Sequence, residues 1–153
     1  MSENSETTFR EYVTAIVGNQ LFGLPIQRVQ DVFAPERITR VPLAAPEIAG
    51  VLNLRGRIVT LIDMRRRLGL GAAPTGMETM AIGVDLHGES YALLTDGIGE
   101  VLNLNEANRE ANPVNLDAGL DEISAGIFRL DNQLLVIVDV DRILALDAPA
   151  AAA

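Results

Sequence analysis

Apolar positions along this chain come in short runs of Val, Ile and Leu, interrupted by Gly, Asn and Asp. Runs of this length, β-branched and bounded by turn-forming residues, predict strands rather than amphipathic helices. The predicted strands are Tyr12–Val17, Leu21–Pro25, Ile48–Leu54, Ile58–Ile62, Thr79–Val84, Ser90–Thr95, Ile123–Leu130 and Leu134–Val138. Turn signals fall between them at Gly18-Asn19, Arg55-Gly56, His87-Gly88 and Asp131-Asn132. Two short helical stretches are expected, one after Asp63 and one from Val140 to Leu146. The fold class is all-β.

Sliding the chain against itself shows that the pattern occurs twice. At an offset of 69 residues, Phe22-Gly23-Leu24 meets Tyr91-Ala92-Leu93, and Val29, Asp31 and Val32 meet Ile98, Glu100 and Val101. At an offset of 76, Ala49-Gly50-Val51 meets Ala125-Gly126-Ile127, Ile58 to Asp63 meets Leu134 to Asp139, and Arg66, Leu68 and Leu70 meet Arg142, Leu144 and Leu146. The extra seven residues fall between Asn103 and Ile123. Two blocks in the same order indicate an internal duplication. Each copy has the size of a small barrel, a shape that leaves no exposed sheet edge. The expected domain is 9–147, with a first barrel at about 12–70 and a second at about 77–146, strand exchange between them being open. The Gly- and Pro-containing link from Gly71 to Gly76 is the expected crossing between barrels, and apolar side chains should fill their junction.

Positions common to both copies are assigned to the fold. Gly50 and Gly126 should relieve crowding at a bulge or bend. Asp63 and Asp139 follow an apolar strand and precede a helical turn, which suits N-caps. The copies diverge at one hairpin, Asn53-Leu54-Arg55-Gly56-Arg57 against Arg129-Leu130-Asp131-Asn132-Gln133. Asp-Asn is ordinary turn chemistry. In Arg-Gly, Gly56 is a structural turn residue that supplies the positive φ, and Arg55 projects a fork of donors to solvent or to a partner carboxylate.

Composition removes several function classes. The 153 residues carry 12 Lys+Arg against 21 Asp+Glu, a net charge of −9, which disfavours nucleic acid and anionic lipid as partners. There is no Cys and one His, His87, so neither a thiolate metal site nor a two-histidine site is available, and no metal or cofactor is expected. Asp96-Gly97 has the pairing of an aspartic-protease dyad, but its counterpart in the first copy is Gln27, so Asp96-Gly97 is assigned to a turn. No phosphate-binding glycine pattern occurs. Arg65, Arg66 and Arg67 are expected to cover the outer face of a helical turn and complement its C-terminal end. Residues 1–8 read as a disordered leader and 148–153 as a disordered tail, with no signal peptide or membrane span. A non-catalytic cytoplasmic protein is expected.

The run Ile48 to Leu70, IAGVLNLRGRIVTLIDMRRRLGL, resembles the signature of the CheW family of chemotaxis coupling proteins, centred on Asn53-Leu54-Arg55-Gly56. FGLPIQRVQDVF, Phe22 to Phe33, is similar to that family's opening segment, and the resemblance extends from Glu11 to Leu146. It implies two intertwined five-stranded SH3-like β-barrels. It implies, too, an adaptor between the cytoplasmic tip of a chemoreceptor and the regulatory domain of the histidine kinase CheA. Carried over by position, the receptor-binding residues would be Val29, Asp31, Val32 and Arg55. The family often has Glu where Asp31 stands, one methylene longer, and Leu where Met64 stands. Asp31 pairs with Glu100 in the repeat, which suggests a structural acid. It is assigned to binding because only the first copy combines the acid with an exposed Arg. The alternatives are a small-ligand-binding β-barrel and an adaptor of a pilus-type pathway.

Overall fold

A computed structural model describes residues 8–71, 76 and 78–145. Among the described residues, ten strands form two five-stranded sheets. The strands are β1 (Phe9–Val17), β2 (Gln20–Pro25), β3 (Asp31–Phe33), β4 (Ile48–Leu54), β5 (Arg57–Asp63), β6 (Met80–Leu86), β7 (Glu89–Thr95), β8 (Gly97–Asn105), β9 (Ser124–Arg129) and β10 (Leu134–Val138). Short helices α1 (Met64–Arg67), α2 (Ala118–Ile123) and α3 (Val140–Leu144) close the pattern, with one-turn 3-10 helices at Ile26–Arg28 and Glu106–Asn108. The all-β, SH3-like double-barrel architecture expected from the sequence is the one observed.

Sheet membership does not follow the sequence halves. One sheet runs β8-β1-β2-β10-β9 and the other β3-β6-β7-β5-β4. Each half therefore gives its opening hairpin to the other half's barrel. The joins are parallel, Leu135 to Ile137 beside Leu21 to Gly23, and Thr60 to Asp63 beside Tyr91 to Leu94. The expected crossing at Gly71–Gly76 is corrected: β5 and β6, which flank it, lie in one sheet, and the chain changes sheets after β2 and after β7. Residues 72–75 and 77 of that link lie outside the described residues, as do Leu146, the tail 148–153 and the leader apart from Thr8. The Thr8 carbonyl accepts the Glu106 N–H at 2.9 Å.

Strand alternation explains how three cores coexist. In β10 every residue from Leu135 to Val138 is buried, with Val136 and Val138 in a central cluster and Leu135 and Ile137 in a second one with Tyr12 and Phe128. In β5, Ile62 joins the central cluster while Val59 and Leu61 pack with Leu52, Ala81 and Ala92. A strand has two faces, so each of these feeds its own barrel and the shared junction at once. The central cluster takes Phe22, Leu24, Ile82, Leu93 and Ile127 from both sheets and Ile143 from α3, which is the apolar junction expected.

Both copies solve the same local problems alike. Asp63 accepts the Arg65 and Arg66 N–H groups at the start of α1, and Asp139 accepts the Arg142 N–H at the start of α3, so both are N-caps. Gly50 and Gly126 have φ of 150° and 135° and sit beside register shifts in the β4–β5 and β9–β10 pairs. A Cβ on Gly50 would overlap the Thr39 carbonyl oxygen, and one on Gly126 would lie 3.0 Å from the Glu110 carbonyl oxygen. Those carbonyls belong to bridges at equivalent places, Thr39 with Val51 and Glu110 with Ile127.

Two strands, β3 and β8, are absent from the sequence expectation. β3 has three residues, and β8 is broken up by glycines and asparagines and mostly half-exposed. Neither offers a clean period-two signal.

Candidate functional site

The divergent hairpin is a two-residue turn between Leu54 and Arg57. Arg55 has φ 51° and Gly56 φ 85°, so both central residues are left-handed, as in the primed turns that suit strand twist. Gly56 supplies a positive φ as expected, and Arg55 adds a second one. Asn53 braces the turn, its Oδ1 accepting the Gly56 N–H at 2.9 Å. The second copy closes its hairpin with a backbone bond, Leu130 N–H to Gln133 O at 2.9 Å, and Asp131 and Asn132 have no positive φ. The sequence placed Asn53 in the motif without a role; its role is to accept the turn N–H, as Asn commonly does in turns.

The turn holds Arg55 with its side chain 75% exposed. Its Nη2 donates to Asp31 Oδ2 from β3, a carboxylate 31% exposed. Asp31 and Arg55 thus meet across the mouth of one barrel. Beneath them is a cleft of about 70 Å³ lined by Phe33, Leu54, Val59, Val84 and Tyr91 among others. Of the other two expected binding residues, Val32 is 40% exposed on the same strand. Val29 is partly buried, caps the 3-10 turn and packs on the central cluster. Asp31 and Arg55 therefore share one face, whereas Val32, the next residue on the strand, points to the opposite face and Val29 packs inward on the central cluster.

The repeat counterpart of Asp31 behaves differently. Glu100 is exposed on β8, and its backbone carbonyl accepts the Thr14 hydroxyl at 2.6 Å. The second barrel places Asp131-Asn132 where Arg55-Gly56 stands in the first, so it has no equivalent ion pair.

The arginine run is corrected. Arg65 does not cover an outer face: it makes two bonds of 2.9 Å to Asp96, with side chains 17% and 9% exposed. Asp96 accepts the Gly18 N–H at 2.7 Å and donates its own N–H to Ile16 O. It is therefore a clasp where the chain passes between sheets, not a simple turn residue. Burial alone would raise the Asp96 carboxyl, but the Arg65 guanidinium and the Gly18 N–H outweigh it and hold it below its ordinary value. Arg67 reaches the Arg142 and Ile143 carbonyls at the C-terminal end of α3. A cation does complement a helix C-terminus here, but the helix belongs to the other copy. Among the described residues no cluster of His, Cys, Asp and Glu suited to a metal occurs, and no helix is long and apolar enough to cross a membrane.

The sequence profile of the CheW-like domain matches residues 11–148. The chain belongs to the CheW-like domain family. It is 27% identical over 139 residues to the chemotaxis protein CheW of Klebsiella aerogenes, covering 91% of this chain and 84% of that one. Against the chemotaxis protein CheW of Bacillus subtilis it is 27% identical over 137 residues, covering 90% and 88%. The crystal structure of the scaffolding protein TtCheW from Thermoanaerobacter tengcongensis superposes with a TM-score of 0.81 at 26% identity, covering 92% of this chain and 90% of that one. These matches bear out the chemotaxis-adaptor function expected from the sequence over the ligand-barrel alternative.

Proposed function

We propose that this CheW-like chain is a cytoplasmic, non-catalytic adaptor that joins the cytoplasmic tip of a chemoreceptor to the regulatory domain of the kinase CheA. The observation that carries the receptor half is Arg55. It is a mostly exposed guanidinium on a braced two-residue turn, paired with Asp31 at a small cleft of mixed polar and apolar lining. On a chain of net charge −9, that cation is a local reversal of sign. A fork held by a rigid turn loses little entropy when it binds, and its fixed geometry selects a partner carboxylate or carbonyl pair.

For the kinase half, the barrel ends offer apolar tips. Leu43 and Val114 lie four residues beyond Thr39 and Glu110, the two equivalent bridge residues, and both are fully exposed. Leu43 has φ 64°, in the left-handed region that a leucine rarely adopts. Two exposed apolar residues at equivalent places suit end-to-end barrel contacts of modest individual strength that gain from multivalent assembly.

The test uses one preparation of Arg55→Glu. Melting temperature should stay within a degree or two, as exposed substitutions usually change stability by less than about 0.5 kcal/mol. Affinity for a receptor-tip fragment should fall strongly, because reversal removes the fork and adds repulsion. Affinity for the kinase regulatory domain should change little, whereas Val114→Asp or Leu43→Asp should reverse that pattern. Unchanged receptor affinity in a folded Arg55→Glu protein would make Arg55 a solvated bystander.

A further inference from the structure

Gly83 has no backbone reason to be glycine. It lies inside β6, is buried, and has a φ outside the positive range. A glycine in a strand interior weakens the strand and normally marks a close approach by something else. Here that something is Asp31. The two residues are paired in register between β3 and β6, and a Cβ on Gly83 would overlap Asp31 Oδ1. The carboxylate fills the volume that a side chain at 83 would take. Its other oxygen, Oδ2, faces Arg55.

The second barrel shows the alternative. By the 69-residue offset, Gly83 corresponds to Thr14 and Asp31 to Glu100. Thr14 keeps a side chain, which bonds the Glu100 backbone, and the Glu100 carboxylate stands exposed instead of folding over the sheet. The β1–β8 pair also shifts register at this place, so the missing side chain at 83 and the regular β3–β6 register together separate an inward acid from an outward one. Aspartate is short, so it spans to the hairpin only by lying close over β6.

We infer that Gly83 is a positioning residue of the candidate receptor site. It opens the space in which Asp31 lies, and Asp31 in turn orients Arg55 over the cleft. The inference rests on Arg55 being the group that meets the receptor.

Gly83→Ala, Asp31→Ala and the double variant test it through three readouts. In the natural background, Gly83→Ala lowers the melting temperature; in the Asp31→Ala background it leaves it unchanged or raises it, since the collision is gone and a strand glycine is removed. By NMR, the Arg55 Nε–H group becomes mobile in Gly83→Ala to the extent seen in Asp31→Ala. Receptor-tip affinity falls about tenfold in either single variant and no further in the double. Equal loss of melting temperature in both backgrounds, or an Arg55 as ordered in Gly83→Ala as in the natural protein, overturns the inference. If Gly83→Ala does not fold, folding of the double variant upholds the collision and its failure refutes it. A receptor fragment that does not bind even the natural protein defeats the proposed function, while the melting and NMR readouts still decide the role of Gly83.

Discussion

Gly50 and Gly126 occupy equivalent positions, yet replacing each by Ala should have unequal effects. Both backbones are in the positive-φ region, at 150° and 135°, where a Cβ costs about 1–3 kcal/mol. At Gly126 little is added. The nearest atoms are the Arg109 side chain and the Glu110 carbonyl at 3.0 Å, and the arginine is long enough to yield. At Gly50 the new Cβ would overlap the Thr39 carbonyl and come within 2.7 Å of Ile38 Cγ2. The Thr39 segment must then leave β4, losing two bonds of 2.8 Å between Thr39 and Val51. Each is worth about 0.5–1.5 kcal/mol net, so Gly50→Ala should cost about 2–6 kcal/mol against about 1–3 for Gly126→Ala. With a urea slope of about 2 kcal/mol/M, the midpoints fall by about 2 M and about 1 M. The shared central cluster should keep unfolding a single transition in both variants. Equal midpoints, or a larger loss at Gly126, would refute the idea that the Thr39 bridge is what makes Gly50 the tighter site.

Ile137 is 1% exposed and packs with Tyr12, Phe128 and Leu135, so Ile137→Ala should cost about 2–5 kcal/mol in denaturant unfolding; a loss under about 0.5 kcal/mol would place it outside the core. The Asp96 carboxyl is held below its ordinary value, so the unfolded chain takes up that proton first, and the clasp's contribution is full above roughly pH 4 and lost on acidification. The stability gap between the natural protein and Asp96→Asn should therefore narrow as pH falls below about 4, and a constant gap would show that the clasp is not charge-dependent. Tyr12 donates to Glu106 at 2.6 Å, and burial with that bond pushes its phenol up to about 12. Its contribution is full below about pH 10 and lost as pH rises from there through about 12, so Tyr12→Phe should flatten the alkaline loss of stability followed by unfolding from roughly pH 9 upward.

The duplicated plan and most strands were legible because repetition and apolar runs are local properties of the string. Ile48–Leu54 and Leu134–Val138 have the bounds expected from the sequence, and Asp63 and Asp139 cap the helices that follow them. The exchange of opening hairpins was not legible. β2 is compatible with β5 of its own half as well as with β10 of the other, and only three-dimensional packing selects the second pairing. For the same reason the Arg65–Asp96 clasp was hidden. Its residues are 31 apart and belong to different copies, so no motif joins them.

The site itself was half visible, and the exchange explains which half. Comparing Asp31 with Glu100 along the sequence asks whether two acids are alike, and they are. What decides their behaviour is the strand lying next to each. Because the hairpins are exchanged, β3 of the first copy lies beside β6 of the second, and β8 of the second beside β1 of the first. A residue on one copy's strand is thus set by a residue of the other copy, Gly83 for Asp31 and Thr14 for Glu100. Divergence at one position of a duplicated hairpin can then change the opposite barrel's surface while leaving that hairpin's own half unaltered. A chain whose task is to hold two different partners needs unlike faces on two like barrels. Exchanged hairpins supply that asymmetry without disturbing the shared core, because β10 and β5 keep the central cluster on one face and their own barrels on the other.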